Sequence, residues 1–221
     1  MKNILLAGTL LLSSFCFAAE QPSADHILGM VQKKLPSRPL KLTGKLKAKA
    51  KNGFTKSYPV TMELDWHAEP ATAHYKIDSE ELTITWQGDT PNYTFSKAGQ
   101  APTSEILGTG FTWADLSFAV LWWPDSKLVG EDKKLNRDTY IIDVPVPGSE
   151  NIMRLWIDQY MGMVMEMQTL DKTEKQLTRL KIKSIKKMDE MWIAKDLELS
   201  DRKSGKKTTL TISDLNWMDE E

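Results

Sequence analysis

The stretch VTMELDW, from Val60 to Trp66, decides the fold class of this protein. Every second residue of the stretch is apolar, and the residues between them are Thr, Glu and Asp. A period of two is typical of a β-strand with one buried face, whereas a helix repeats every 3.6 residues. The stretch therefore predicts an antiparallel strand that covers a core on one side only.

The same alternation extends along most of the chain, between residues 40 and 95 and again between residues 127 and 215. Turn signals such as Gly88, Pro147-Gly148 and Ser204-Gly205 separate the apolar-polar runs. We predict about ten to eleven short antiparallel strands, which are too many at too regular a spacing for a βαβ protein. The sequence thus predicts a mainly β (α+β) fold.

Two segments break the alternation and predict helices. Ser23 is a suitable N-cap for an amphipathic helix that runs to Leu35 and stops at Pro36. The second segment, Gly108 to Trp123, is apolar nearly all round, and Pro124 would end it. A helix of that kind must be buried, either enclosed by a strongly curved sheet or placed as a lid over a cavity.

The chain has 221 residues, a length that suits one β-rich domain. Its 29 Lys and Arg residues and 30 Asp and Glu residues give a formal net charge of −1, and both signs are interleaved along the chain. A nucleic-acid-binding surface needs a basic stripe or patch. We therefore expect no nucleic-acid partner.

The N-terminus has the pattern of a secretory signal peptide. A basic start at Lys2 precedes a short apolar run and an exit of small residues that ends at Ala18. We predict a signal peptide over residues 1–18 and a single domain over residues 19–221. In the alternative, a lipoprotein signal, Cys16 would be acylated, but Ser13 and Phe15 do not fit that pattern. No later stretch reaches the about 20 apolar residues of a membrane span.

The motifs of common enzyme classes are missing from the sequence. The stretch GTG at 108–110 lacks the third glycine of a dinucleotide loop, and neither a phosphate loop nor a Gly-x-Ser-x-Gly elbow is present. His67, Glu69 and His74 surround a predicted hairpin and could form a metal cluster, but exposed turn residues are the commoner role of such side chains. We predict a protein that is not an enzyme, with no catalytic residue, metal or cofactor.

A row of methionines is the most distinctive feature of the sequence. Met161, Met163, Met165 and Met167 fall at a period of two, so their thioethers would share one face of one strand. Met side chains give a soft, adaptable surface that suits a variable apolar ligand. The same row could equally be a strand packed in the core, which is the commoner place of apolar side chains.

The C-terminal half of the chain resembles a known family. The resemblance rests on FTWADLSF at 111–118, RLWIDQYMGMVMEMQTLD at 154–171 and MWIAKDLELSDRKSGKKTTLTISDLNW at 191–217. These stretches, with the signal segment and the first helix, resemble bacterial outer-membrane lipoprotein-sorting proteins, relatives of the LolA/LolB group. The resemblance implies an incomplete, strongly curved antiparallel barrel covered by helices, an apolar cavity, and a periplasmic protein that carries lipoprotein acyl chains. The lid arginine of the studied carriers cannot be placed on any position of this sequence.

We therefore predict a periplasmic, non-enzymatic carrier or binding protein for lipids or lipoprotein acyl chains. The alternative is an envelope interaction module with a filled core that docks to a transporter or an assembly complex. Strand parity groups the candidate lipid-binding side chains without saying which face of the sheet is concave. The candidates are Met62, Leu64, Trp66, Tyr75, Ile77, Leu82, Ile84, Trp86, Tyr93, Phe95, Trp113, Phe118, Trp122, Leu155, Ile157, Met161, Met163, Met165 and Met167.

The candidate lining carries no charged side chain. We therefore expect binding of single-chain lipids with weak head-group discrimination and little dependence on salt. We also expect a monomer that does not span a membrane.

The signal-peptide prediction has a direct test. N-terminal sequencing of the exported protein should begin at Ala19 or close to it and should find no acyl group. An acylated Cys16 would contradict the predicted cleavage site and the expectation of a cysteine-free mature protein.

Overall fold

The computed structural model describes residues 21–49, 53–88, 90–189 and 191–218. The predicted signal peptide, Cys16 and the cleavage site lie outside these residues. In chain order the elements are α1 (Ala24–Gln32), β1 (Leu40–Lys49), β2 (Thr55–Asp65), β3 (Ala71–Ile77), β4 (Glu80–Gln87), β5 (Thr90–Phe95), α2 (Trp113–Ser117), a 3₁₀ helix (Ala119–Trp122), β6 (Lys127–Lys134), β7 (Arg137–Pro145), β8 (Ile152–Asp158), β9 (Val164–Leu170), β10 (Gln176–Met188), β11 (Met191–Asp201) and β12 (Lys207–Trp217).

The twelve strands of the described residues form one antiparallel sheet in the order β5-β4-β3-β2-β1-β12-β11-β10-β9-β8-β7-β6. Two meanders, β1 to β5 and β6 to β12, are joined by the pairing of β1 with β12. β5 and β6 are the edges, so the barrel is not closed. The predicted fold class is confirmed, with twelve strands in place of about ten to eleven.

The core lies on one face of this sheet because alternate residues of each strand point to the same side. In β2, Val60 and Met62 are buried, whereas Thr61 between them is only half-buried. Cross-strand pairing extends each buried position into a row. One row consists of Leu42, Met62, Tyr75, Leu82 and Phe95. The predicted grouping of apolar side chains by strand parity thus matches the register.

The first helix begins where its sequence predicts. The Ser23 side chain accepts a hydrogen bond from the His26 backbone N–H at 3.2 Å, which caps the first turn. The helix ends at Gln32, three residues before the predicted end, and the chain continues as a turn. Gln32 Nε2 donates to the Leu121 carbonyl at 2.7 Å and so ties α1 to the 3₁₀ helix. No helix in the described ranges has the length and hydropathy needed to cross a membrane.

The prediction of one helix from Gly108 to Trp123 is wrong. A capping box between Thr112 and Asp115 starts α2 only at Trp113, and α2 ends after five residues. Phe118 then adopts a left-handed conformation with φ of 51°, which separates α2 from the 3₁₀ helix. Trp113 in α2 is buried, whereas Phe118 and Trp122 are half-buried and pack against the core.

The end of the β10–β11 pair leaves the sheet. β10 pairs with β9 only as far as Lys181, and β11 pairs with β12 only from Asp196 onward. Within the described part, residues 182–188 pair only with β11 and residues 191–195 pair only with β10, and we call these two stretches the projecting hairpin. Register irregularities between Ile182 and Ile185 mark the point where it leaves, and such bulges bend a strand pair.

The seam between the two meanders offers a stability test. An added Cβ at Gly44 would overlap the backbone carbonyl oxygen of Thr211 on β12. We expect Gly44→Ala to lower the free energy of unfolding by about 1–3 kcal/mol, because backbone atoms must shift. In α1 an added Cβ at Gly29 meets nothing within 4 Å. Gly29→Ala should therefore raise the free energy of unfolding by about 0.5–1 kcal/mol. Urea unfolding measures both, and a neutral Gly44→Ala would contradict this packing of the seam.

Candidate functional site

A cavity of about 810 Å³ lies between the concave face of the sheet and the segments that cover it. Its walls come from β1 to β3, β10 to β12, the end of α1, α2 with the 3₁₀ helix, and the β8–β9 turn. Cavities that bind small molecules have volumes of about 300–1,000 Å³ and mostly apolar walls. This cavity therefore has the size and the chemistry of a site for an apolar ligand.

The structure places some of the candidate lipid-binding residues in the wall of the cavity. These are Met62, Leu64, Trp66, Tyr75, Phe118, Trp122, Met161 and Met163. Outside the wall, Ile77, Leu82, Ile84, Trp86, Trp113, Leu155, Ile157, Met165 and Met167 are buried, whereas Tyr93 and Phe95 are half-buried against the core. Contact of any of these residues with a lipid stays a prediction.

A second part of the wall was missed by the sequence reasoning. It comes from α1 and from β10 to β12, with residues such as Val31, Ile182, Ala194, Leu197 and Ile212. The alternation in β11 and β12 signals which of these side chains share a face. The alternation does not indicate that β12 lies beside β1. The pairing of these two strands places the β12 part of the wall next to Leu42 on β1 and Met62 on β2.

Two tryptophans line one side of the cavity, and a third packs against both of them. The Trp66 and Trp122 rings are stacked, with centroids 5.7 Å apart and planes at 12°. The Trp86 ring lies behind them, 4.5 Å from Trp66 and 5.2 Å from Trp122. Aromatic groups at these separations attract one another beyond their apolar burial. The trio therefore fixes the 3₁₀ helix against β2 and β4 and makes this wall rigid.

The methionine row is divided between a turn and a strand. β9 begins only at Val164, so Met161 and Met163 belong to the turn before it. Asp158 holds this turn, because its Oδ1 accepts the backbone N–H groups of Tyr160 at 2.9 Å and Met161 at 2.5 Å. The prediction of one strand face is therefore wrong for the first half of the row. Its two methionines are half-buried at the cavity, and the other two are buried in the core.

One end of the cavity is open to solvent, and we call its border the rim. The rim brings together the end of α1 at Lys34, the turn at Tyr160 and the projecting hairpin at Trp192. Lys34 Nζ donates to the Tyr160 carbonyl at 2.8 Å, which joins two of these segments. Tyr160 is 87% exposed and Trp192 is 53% exposed, although both also line the cavity.

The cavity also contains a charged group, which contradicts the expected uncharged lining. Asp115 lines the cavity and is buried. Its Oδ2 accepts hydrogen bonds from the Thr112 backbone N–H at 2.9 Å and the Thr112 hydroxyl at 2.7 Å. Burial raises the pKa of this carboxyl above its usual range, and the two Thr112 hydrogen bonds oppose the rise. In the described chain no donor bonds to Oδ1, so one oxygen remains free to accept.

A neutral polar group lies in the same lining. Tyr75 is buried on β3, and burial raises the pKa of its phenol well above the ordinary value. The hydroxyl therefore stays protonated at neutral pH and can donate a hydrogen bond. The cavity thus combines apolar walls with a few polar groups, among them the Tyr75 hydroxyl, the free Asp115 oxygen and the Trp66 indole N–H, which has no partner among the described residues. Lys34 supplies a positive charge at the rim.

The site lacks the features of a metal centre. Within the described ranges, no group of three His, Cys, Asp or Glu side chains is placed to hold a metal ion. His74 instead lies beside Thr83, with its Nδ1 at 3.0 Å from the hydroxyl oxygen.

The family model described as "-like: Uncharacterized protein" matches residues 94–220, which is more than half of the chain. No curated protein matches the chain by sequence.

Solved structures share the fold at low sequence identity. An outer membrane lipoprotein-sorting protein domain from Vibrio parahaemolyticus superposes with a TM-score of 0.74 at 13% identity, covering 90% of this chain and 93% of its own. A DUF1329 family protein from Desulfovibrio piger has a TM-score of 0.72 at 11% identity, with 88% and 91% covered. A LolA superfamily protein from Nitrosomonas europaea has a TM-score of 0.61 at 12% identity, with 91% and 96% covered.

The buried carboxyl predicts an unusual pH dependence. Because the folded pKa of Asp115 is raised, this group stabilises the protein when protonated and loses that contribution as the pH rises through the folded pKa. Asp115→Asn keeps an oxygen that can accept the Thr112 hydrogen bonds. We expect this variant to gain stability relative to the wild type as the pH rises from acid to neutral, measured by urea unfolding across that range.

Asp171 provides a control of opposite sign. Hydrogen bonds from the Thr173 side chain and from the backbone of Thr173 and Lys175 lower the pKa of Asp171. The ionised Asp171 carboxylate therefore stabilises the folded protein at neutral pH, and this stabilisation is lost as the pH falls. Asp171→Asn should lose stability relative to the wild type as the pH rises. The same pH trend in both variants would contradict the burial of Asp115.

Proposed function

The chain belongs to the family whose model matches residues 94–220, and it has the LolA-like fold; from that premise we propose that it is a non-enzymatic carrier for lipids or lipoprotein acyl chains. The observation that carries the proposal is the cavity of about 810 Å³ with apolar walls and one open end. Burial of an acyl chain in such a cavity contributes about 0.8 kcal/mol for each methylene removed from water.

The two sides of the cavity differ in a way that suits a carrier. The tryptophan trio is rigid, whereas the opposite side includes Met161, Met163 and Met191 near the rim. Unbranched thioether side chains adapt to ligands of different shape. A deformable, open side favours binding that is reversible, because a fully closed site would hold long chains too strongly for release.

The charges of the site set the orientation of the ligand. The Asp115 carboxyl lies in the lining and would repel an anionic head group, whereas Lys34 lies at the rim. We propose that the acyl chain enters first and that the polar end of the ligand stays at the rim. The free oxygen of Asp115 and the Tyr75 hydroxyl then remain available to an amide, ester or hydroxyl group partway along the ligand.

The alternative function, an envelope interaction module, requires a filled core. The cavity is the observation against it, since side chains leave about 810 Å³ of space beneath the covering segments. We further propose that the carrier works in the periplasm, after removal of residues 1–18, and that lipoproteins are the natural source of the acyl chains. The resemblance to lipoprotein-sorting proteins supports both points.

A cavity-filling substitution tests the carrier function. Ala194 lines the cavity on β11, whereas its neighbour Lys195 is outside the lining. Ala194→Trp should weaken binding of the uncharged probe N-phenyl-1-naphthylamine by about tenfold or more, because displacement of two methylenes from an apolar site has an effect of that size. Fluorescence titration measures the affinity, and palmitate or lysophospholipid should displace the probe from the wild type.

Lys195→Trp is the matched control, since it adds the same ring to the same strand outside the cavity. It should leave probe affinity unchanged, and circular dichroism should show that both variants are folded. If the wild type binds neither the probe nor any single-chain lipid saturably, the carrier function is wrong. If both tryptophan variants weaken binding equally, the cavity is not the binding site.

A further inference from the structure

We propose that the projecting hairpin docks the protein on the surface of an anionic phospholipid bilayer, with Trp192 in the interface. This goes beyond the carrier function, because it concerns a surface of the protein and the partner that this surface meets. Within the described chain, residues 182–188 of the hairpin pair only with β11, and residues 191–195 pair only with β10. Neither strand of the hairpin therefore has a further strand at its outer edge, although Ile182 and Ile193 keep the hairpin packed against the core.

An exposed indole lies on this hairpin. Trp192 is 53% exposed, in contrast to Trp113, which has no exposure in the core. Trp192 shares the rim with Tyr160, so two exposed aromatic side chains border the open end of the cavity. Trp is the residue that best suits a bilayer interface, because its apolar ring enters the acyl region while its N–H stays near polar groups.

Basic side chains lie on the same hairpin as the indole. Lys187 is directly opposite Trp192 in the hairpin register, and cross-strand partners share a face. Lys183, Lys186 and Lys187 are all exposed. Across the rim, Lys33 at the end of α1 is exposed as well. An exposed Trp with several lysines is the composition of segments that bind anionic membrane surfaces.

Two lysines of the sheet show the ion pairing that the hairpin lysines lack within the described residues. In the part of β10 that still belongs to the sheet, Lys181 Nζ lies 3.4 Å from Glu198 Oε1. On β6, Lys134 Nζ lies 3.2 Å from Asp132 Oδ2. In the ranges that the structure describes, no ion pair involves Lys183, Lys186 or Lys187. Their charges are therefore available to lipid phosphates, and a bilayer offers many phosphates in one plane.

The position of the hairpin links docking to the cavity. Trp192 belongs both to the hairpin and to the rim, so a bilayer that receives the indole also covers the open end. An acyl chain could then pass between the bilayer and the cavity with little exposure to water. This continuity between the hairpin and the open end favours a lipid surface as the partner.

Vesicle sedimentation with purified protein tests the proposal. The wild type should sediment with vesicles of phosphatidylglycerol and phosphatidylethanolamine, and should not sediment with phosphatidylcholine vesicles. Binding should fall at 1 M NaCl, where the Debye length is about 3 Å. The double variant Lys186→Gln/Lys187→Gln should lower the partition coefficient about tenfold or more, and Trp192→Ser should lower it on anionic vesicles as well.

Matched controls separate docking from general charge and from cavity function. Lys203→Gln/Lys207→Gln removes two exposed lysines at the opposite end of β11, and Leu135→Ser removes an exposed apolar side chain in the β6–β7 turn. Both controls should sediment like the wild type. The hairpin lysines are outside the cavity lining, so their double variant should bind the naphthylamine probe normally.

Three results would overturn the proposal: no sedimentation of the wild type with anionic vesicles, equal sedimentation with neutral vesicles, or equal losses in the hairpin and control variants. In the first case the exposed indole would be a contact for a protein. Normal probe binding in that experiment would leave the carrier function intact. Loss of probe binding with normal sedimentation would reject the carrier and keep the docking surface.

Discussion

The concave face of the twelve-stranded sheet must be shielded from water, and the chain has little material with which to cover it. α1, α2 and the 3₁₀ helix contain 9, 5 and 4 residues. Helices this short stay folded only through tertiary packing, which is why each is fixed by a specific contact: the Ser23 cap, the Thr112–Asp115 capping box and the tryptophan trio. They cover the face without filling the space beneath it. The cavity is thus a direct result of a sheet that is large relative to its cover.

The same shortage of cover accounts for the chemistry of the site. α2 begins directly over the cavity, so its capping carboxylate, Asp115, is buried among apolar walls and its pKa is raised. A helix start needs an acceptor for its free N–H groups, and at this position the acceptor also faces the ligand space. At the other end of the cavity the described residues that form the border are Lys34 just after α1, Tyr160 and the projecting hairpin.

Much of the fold can be predicted from the sequence because strand alternation is a local signal. It groups Met62 with Leu64 and indicates the turns, and the Ser23 cap is likewise local. The covering segment could not be predicted as it folds, because the left-handed Phe118 depends on where Trp113 and Trp122 find partners in the sheet. The prediction that the four methionines share one strand face was wrong for a similar reason. The hydrogen bonds to Asp158 form a turn in a stretch whose sequence pattern is that of a strand. The part of the cavity wall from β10 to β12 was missed because parity within a strand says nothing about which distant strand lies beside it.

The pairing of β1 with β12 affects how the protein can be made. β1 is the first strand and β12 is the last, and together they occupy the middle of the sheet. A nascent chain can form hairpins early, but the centre of its sheet has to wait for residues 207–217. Contacts between such distant parts of a chain form slowly because a long loop must first close. The polypeptide therefore remains without its complete fold until residues 207–217 have been synthesised, and this delay is compatible with the export proposed above.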